Sequence, residues 1–197
     1  MYWKTFTLVL VCVLLGNMSS ACADEEDVTL RVDGLACPFC AYGLEKKLKK
    51  LEGVGSFDIL INEGKVNMKW EDEKPFGFGF VNQAVEKAGY TLRSAKANFV
   101  GSVAKIGDRF VLVSDAGHEE RYSLYDPARI DPKSKAAHKH EGAVRALGEE
   151  RVRQLEGIIG RKDIVRIFGA VHGHKGKGVL PALGIERLEV LSQELKK

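Results

Sequence analysis

The sequence predicts an α+β chain, a βαββαβ half followed by a β-rich half, on three observations. Between Val28 and about Ala95 the apolar spacing switches from period two to helical and back, twice. From Phe99 onward short alternating runs dominate, with a single helical stretch among them. Ahead of both lies an apolar leader, residues 1–23, set apart by composition.

In the leader a single charge, Lys4, precedes the apolar run Phe6 to Leu15, and the segment closes with Ala21-Cys22-Ala23. That pattern is expected of a secretory signal peptide, and the run is too short for the roughly 20 apolar residues a membrane span needs. Export, to a periplasm or its equivalent, is therefore the expectation, with no transmembrane span. The alternative is a lipid anchor on Cys22, although Ser19 stands where a lipobox usually has an aliphatic residue. Of four cysteines, only Cys37 and Cys40 lie beyond the leader, too few for a disulfide scaffold. The net charge of +3, one unit of it from Lys4, is too small to argue for nucleic acid.

The first domain is expected over 24–95. Val28-Thr29-Leu30-Arg31-Val32 alternates as a half-buried strand does. After Cys37 a helix follows, with Ala41, Leu44, Leu48 and Leu51 on one stripe and Lys46, Lys47, Lys49 and Lys50 around the rest. Pro38 suits its first turn, where a missing N–H costs nothing, and Gly53 closes it. Phe57, Ile59 and Ile61, then Val66, Met68 and Trp70, read as a hairpin joined through Asn62-Glu63-Gly64, with glycine where positive φ is wanted. A second helix is expected with Phe80, Val81, Ala84, Val85 and Ala88 inward, and Tyr90-Thr91-Leu92 opens a fourth strand after Gly89. The order is that of a ferredoxin-like fold.

Cys37-Pro38-Phe39-Cys40 places two thiols at a strand-to-helix junction. A helix N-terminus favours thiolate, the form that binds metal and also the form that attacks disulfides, so soft-metal capture and redox chemistry both stay open. Two thiolates alone suit ions content with near-linear coordination, Cu(I) or Hg(II). Zn(II) usually takes four ligands, and residues 24–98 hold no histidine and no third cysteine, so a zinc site would need ligands from elsewhere.

Gly34-Leu35-Ala36-Cys37-Pro38-Phe39-Cys40, the helix ending Leu51-Glu52-Gly53-Val54, and Gly89-Tyr90 together resemble the heavy-metal-associated domain family, whose motif usually reads Gly-Met-Thr-Cys-x-x-Cys. Leu35 and Ala36 stand where that motif has methionine and threonine, and Leu35 is expected to plug the same core position. The resemblance implies a metal-binding, non-enzymatic protein in which Cys37 and Cys40 are the ligands and Tyr90 shields the metal loop. It further implies a membrane metal transporter or other acceptor docking on the Lys46–Lys50 face. The rival is a thioredoxin-like redox motif, against which the hairpin after the first helix counts. An adaptor with a vestigial thiol pair is the third reading.

The second domain, 99–191, is expected to be a small OB-like barrel. Val100–Val103, Arg109–Val113 and Arg121–Tyr125 read as strands, and 126–141 as a polar loop. Ala146–Ile158 reads as a helix, with strands again at Ile164–Val171 and Leu183–Leu191. Three strands, a helix and two strands is the order of such a barrel, which by itself implies no function. All five histidines lie here; of the pairs His138/His140 and His172/His174, the second is the candidate secondary metal site, because it follows a strand whose end is fixed. Gly173–Gly178 fits no phosphate-loop spacing, and no catalytic constellation occurs in the sequence.

Overall fold

The computed structural model describes residues 28–71, 74–116, 118–129, 147–172 and 180–191. The leader, Cys22, residues 130–141 of the polar loop, the glycine-rich run 173–178 and His138, His140 and His174 lie outside the described residues.

β1 (Val28–Asp33) buries Val28, Leu30 and Val32 and turns Thr29, Arg31 and Asp33 outward, the period-two pattern of its sequence. Helix α1 (Pro38–Leu48) begins at its proline and sinks Ala41, Leu44 and Leu48. β2 (Val54–Leu60) and β3 (Lys65–Trp70) are joined by a 3-10 turn, Ile61–Glu63, that Gly64 closes at φ +60°. β2 lies at an edge of the sheet, so its apolar residues are only half-buried, whereas Val66 and Met68 of β3 are fully buried. Helix α2 (Phe78–Lys87) buries Phe78, Val81, Ala84 and Val85. Phe80 is turned outward, 37% exposed, contrary to its expected inward position: the helix starts at Phe78, and that residue takes the inward place one turn before Val81.

With β4 (Thr91–Ile106), the strands of the first half stand in the order β2-β3-β1-β4, all antiparallel. This is a ferredoxin-like sheet, with Leu44, Leu48, Val81 and Val85 of the helices packed in one cluster with Leu30, Val66 and Met68.

β4 (Thr91–Ile106) changes the expected organisation. The separate strands anticipated at Tyr90–Leu92 and Val100–Val103 are one strand, and the boundary anticipated between 95 and 99 falls inside it. Its first residues pair with β1, and Ser102–Ile106 pair with β5 (Arg109–Asp115). Along Ser94–Ser102 it also pairs with β7 (Ile164–His172). β5 pairs with β6 (Glu119–Tyr125), β6 runs parallel to β8 (Ala182–Gly184), and β8 pairs with β7. The five strands β4-β5-β6-β8-β7 thus close a ring. β9 (Arg187–Leu191) continues along β7, so the single strand expected at Leu183–Leu191 is two, interrupted at Ile185-Glu186.

Helix α3 (Glu149–Arg161) starts after Gly148 and inserts Leu155 and Ile158 into the core; Ala146, its expected start, lies outside the described residues. Closure brings backbone against backbone: a Cβ on Gly169 would lie 1.8 Å from the Gly184 carbonyl oxygen, which leaves room only for glycine.

The two halves share one core. Trp70, Phe76, Phe99 and Tyr122 form a chain of edge-to-face rings, with centroids 5.0, 5.3 and 5.1 Å apart in turn. Each such pair is worth about 0.5–1.5 kcal/mol beyond the area it buries. Among the described residues no helix is long and apolar enough to cross a membrane.

Candidate metal centre

Residues 34–37 carry the chain from the end of β1 to the start of α1. At the base of this loop Arg93 donates from Nε and Nη2 to the same Asp33 oxygen, at 3.1 and 2.9 Å, tying the end of β1 to the start of β4. Gly34 turns the chain at φ +96°. Leu35 then drops into the core, 9% exposed and clustered with Val32 and Leu44, while Ala36 stays at the surface. The apolar plug is what holds the loop down, since the loop's own backbone makes no sheet pairing.

Cys37 is the residue before Pro38, half-buried, and its carbonyl accepts from the Ala41 N–H at 3.1 Å. It is therefore the N-cap of α1, and its side chain stands at the positive end of the helix dipole. No acidic residue occupies the first turn of α1 to oppose a thiolate there. Cys37 is disulfide-bonded in this state. Cys40 is the third residue of α1, one turn on from the cap; its side chain lies outside the described part. Among the described residues no group of three or more His, Cys, Asp or Glu is placed to hold a metal ion.

Two large aromatic side chains stand exposed beside the loop. Phe39, between the cysteines, is 92% exposed and Tyr42 66%. A groove of about 560 Å³ runs between α1 and β2, lined by Pro38, Ala41, Tyr42, Phe57, Ile59 and Ile61 among others. Lys46, Lys47, Lys49 and Lys50 are all exposed. Of them Lys49 is held by Glu45 at 2.5 Å and lies over the Phe57 ring at 5.5 Å.

Tyr90 is half-buried at the far end of α2, where its N–H donates to the Val85 carbonyl at 3.1 Å. Its ring packs against Gly34. His172 is the last residue of β7 and sits opposite Ser94 and Ala182; because β7 is antiparallel to β4, it faces the end of the sheet that carries the Cys37 loop.

Sequence reasoning missed a buried polar cluster at the other end of α2. Glu120, 8% exposed, accepts from Gly79 N–H at 2.9 Å and lies 3.2 Å from His118 Nε2. Tyr122, 1% exposed, donates its hydroxyl to Glu120 and accepts from Phe78 N–H at 3.3 Å. Burial, then the Glu120 charge, then the hydrogen bond to Glu120 push the Tyr122 pKa far above the ordinary tyrosine value. The signal available in the sequence was Glu120 itself, a carboxylate in phase with Tyr122 and Leu124 on the inward face of a strand.

The model of the heavy-metal-associated domain matches residues 29–91. The copper chaperone CopZ of Staphylococcus epidermidis is 31% identical over 64 residues, covering 32% of this chain and 93% of that protein. A copper-exporting P-type ATPase of Bacillus subtilis is 27% identical over 77 residues, covering 39% of this chain and 10% of that protein. A solved CopZ metallochaperone aligns at 30% identity over 32% of this chain and 94% of its own, with a TM-score of 0.30. Through residues 29–91 this chain belongs to the heavy-metal-associated domain family.

Proposed function

We propose that this protein is an exported carrier of a soft metal ion, Cu(I) foremost, held between the thiolates of Cys37 and Cys40 and passed on by ligand exchange. The observation that carries the reading is the placement of both cysteines in the first turn of α1, Cys37 at the N-cap and Cys40 three residues on, in a domain whose relatives are named for copper. Thiolates are soft ligands and the helix end favours their charge, so the pair selects Cu(I) or Hg(II) over harder ions. Zn(II) would need ligands from outside the loop. No catalytic step is assigned to the chain.

With Cys37 in a disulfide, reduction precedes metal capture: two electrons and two protons from a dithiol convert the bridge to thiols, and the metal then displaces the protons. The same disulfide favours a second reading, a thiol–disulfide exchange protein. The two separate cleanly. The reduced full chain is titrated with Cu(I), Hg(II) and Zn(II) against a competing chelator, and its reduction potential is measured. Binding of neither Cu(I) nor Hg(II), together with rapid exchange against a dithiol, would leave the redox reading standing alone.

The acceptor, a metal transporter or similar protein, docks on the α1 side. Support comes from the exposed Lys46, Lys47 and Lys50, the apolar Phe39 and Tyr42 beside the cysteines, and a copper-exporting ATPase among the relatives. Tyr90 shields the loop from the α2 side. The ring of strands is an OB-like barrel, supported by the order β4-β5-β6-β8-β7 with its parallel β6–β8 pair. His172 and His174 form a secondary imidazole site, tested by metal stoichiometry before and after both are replaced. Export follows from the residue 1–23 leader, with lipidation at Cys22 as the alternative, and mass spectrometry of the mature N-terminus decides between them.

A further inference from the structure

Helix α2 has no cap of its own. Its N-cap is Gly77, which makes no side-chain hydrogen bond to the helix, and its second residue is Gly79, so local sequence does little to hold the first turn. The first two N–H groups of the helix are satisfied from more than 40 residues away, Phe78 by the Tyr122 hydroxyl and Gly79 by the Glu120 carboxylate. Both partners lie on β6, outside the matched family domain. A carboxylate at a helix N-terminus also meets the positive end of the dipole, which strengthens the cap in a buried setting.

The other end of α2 meets the metal loop. The chain leaves the helix through Ala88 and Gly89, Tyr90 N–H bonds back to Val85, and the Tyr90 ring lies on Gly34, the turn from which Leu35 to Cys37 depart. Ten residues of helix span about 15 Å, with Val81, Ala84 and Val85 locked in the core. The helix is thus a stiff connection between the β6 cluster and the loop.

We propose that Glu120 is a positioning residue for the Cys37–Cys40 loop, acting through α2 and Tyr90. It touches neither the cysteines nor the ion. By capping α2 it holds the axial position of the helix, and so the pressure of the Tyr90 ring on Gly34. Loss of the cap frays the first turn, lets α2 settle, and loosens the loop that presents the thiolates. This role rests on reading Cys37 and Cys40 as the metal site, but part of its test does not involve metal.

The test compares the full-length reduced protein with Glu120→Ala, Glu120→Gln, Tyr90→Ala and the double variant Glu120→Ala/Tyr90→Ala. Two readouts are taken: amide hydrogen exchange of residues 34–37 without metal, and the rate of Cu(I) release to a chelator. The expected result is faster exchange and faster release in Glu120→Ala, on the order of five- to tenfold, the factor that one helix cap represents. Glu120→Gln keeps an acceptor for Gly79 and stays close to wild type. In the Tyr90→Ala background the Glu120→Ala substitution adds nothing further.

The proposal is overturned if Glu120→Ala lowers the melting temperature yet leaves loop exchange and release unchanged. It is equally overturned if the effect persists undiminished without Tyr90. Should Glu120→Ala fail to fold, Tyr122→Phe removes the neighbouring acceptor for Phe78 and is read in the same way. Should the wild type bind no Cu(I), the metal reading fails, and loop exchange alone still decides the role of Glu120.

Discussion

A Cβ placed on Gly34 would lie 3.3 Å from Cδ1 of Tyr90, and the backbone of Gly34 stands at φ +96°. Both facts count against a side chain there: L residues rarely adopt that conformation, and the Tyr90 ring would have to shift by a few tenths of an ångström. Gly34→Ala is expected to destabilise the protein by about 1–3 kcal/mol and to weaken Cu(I) binding with both cysteines intact. Urea melts and chelator competition on one preparation check both effects, and an unchanged affinity would detach the turn from the site.

Tyr122 sets an alkaline limit. Its pKa is raised in the fold, so the folded chain holds the phenolic proton after the unfolded chain has released it at about pH 10. Its contribution is intact below pH 10 and declines as pH climbs above that value. Tyr122→Phe should be less stable near neutrality, because it strips partners from Glu120 and Phe78 N–H, yet lose stability less steeply between pH 10 and 11. A residual slope is expected from Tyr125, whose pKa is also raised, by burial and then by Glu186. Melting temperatures across pH 8–11 give both slopes.

Cutting the chain after residue 95 severs β4 and uncovers Phe76 and Phe78, which are 1% and 6% exposed in the whole protein. It also removes the Glu120 cap and the β7 pairing. The fragment should melt well below the full chain and bind a hydrophobic dye. A fragment as stable as the whole protein would mean the shared core contributes little.

Gly169→Ala probes ring closure. With 1.8 Å to the Gly184 oxygen, strands β7 and β8 must separate, at an expected cost of about 2–4 kcal/mol. Thermal unfolding followed by circular dichroism should show a lower midpoint and, because the two halves share one core, a single transition.

Reversing Lys46, Lys47 and Lys50 to glutamate should leave Cu(I) affinity unchanged, since none of them adjoins the Cys37 turn in the chain, and slow transfer to an acidic acceptor. Wild-type transfer should slow with added salt, and the variant's should not. A transfer rate indifferent to both would remove the lysine face from docking.

The local elements were legible in the residues themselves. The β1 alternation, the α1 stripe from Ala41 to Leu48, Pro38 at the helix start and the positive φ at Gly64 all appear where the spacing implies, because each depends on neighbours within a few positions. The junction that presents Cys37 and Cys40 was readable on the same ground, whereas Leu35 in the core was implied by the resemblance to the family motif.

The long-range features were not legible. That β4 runs unbroken from Thr91 to Ile106 and serves both halves depends on pairing with β1, β5 and β7, partners scattered over the chain. Phe80 turns outward because the helix register is set by Phe78 against Tyr122, not by the run of apolar letters. The cap on α2 comes from Glu120, 41 residues from Gly79. Periodicity records which face of an element is buried, whereas register, closure and distant caps exist only once the faces have met. By itself the sequence determined the family domain and the place of its thiol pair. Only the tertiary structure joined that domain, through one strand and one helix end, to the module beside it.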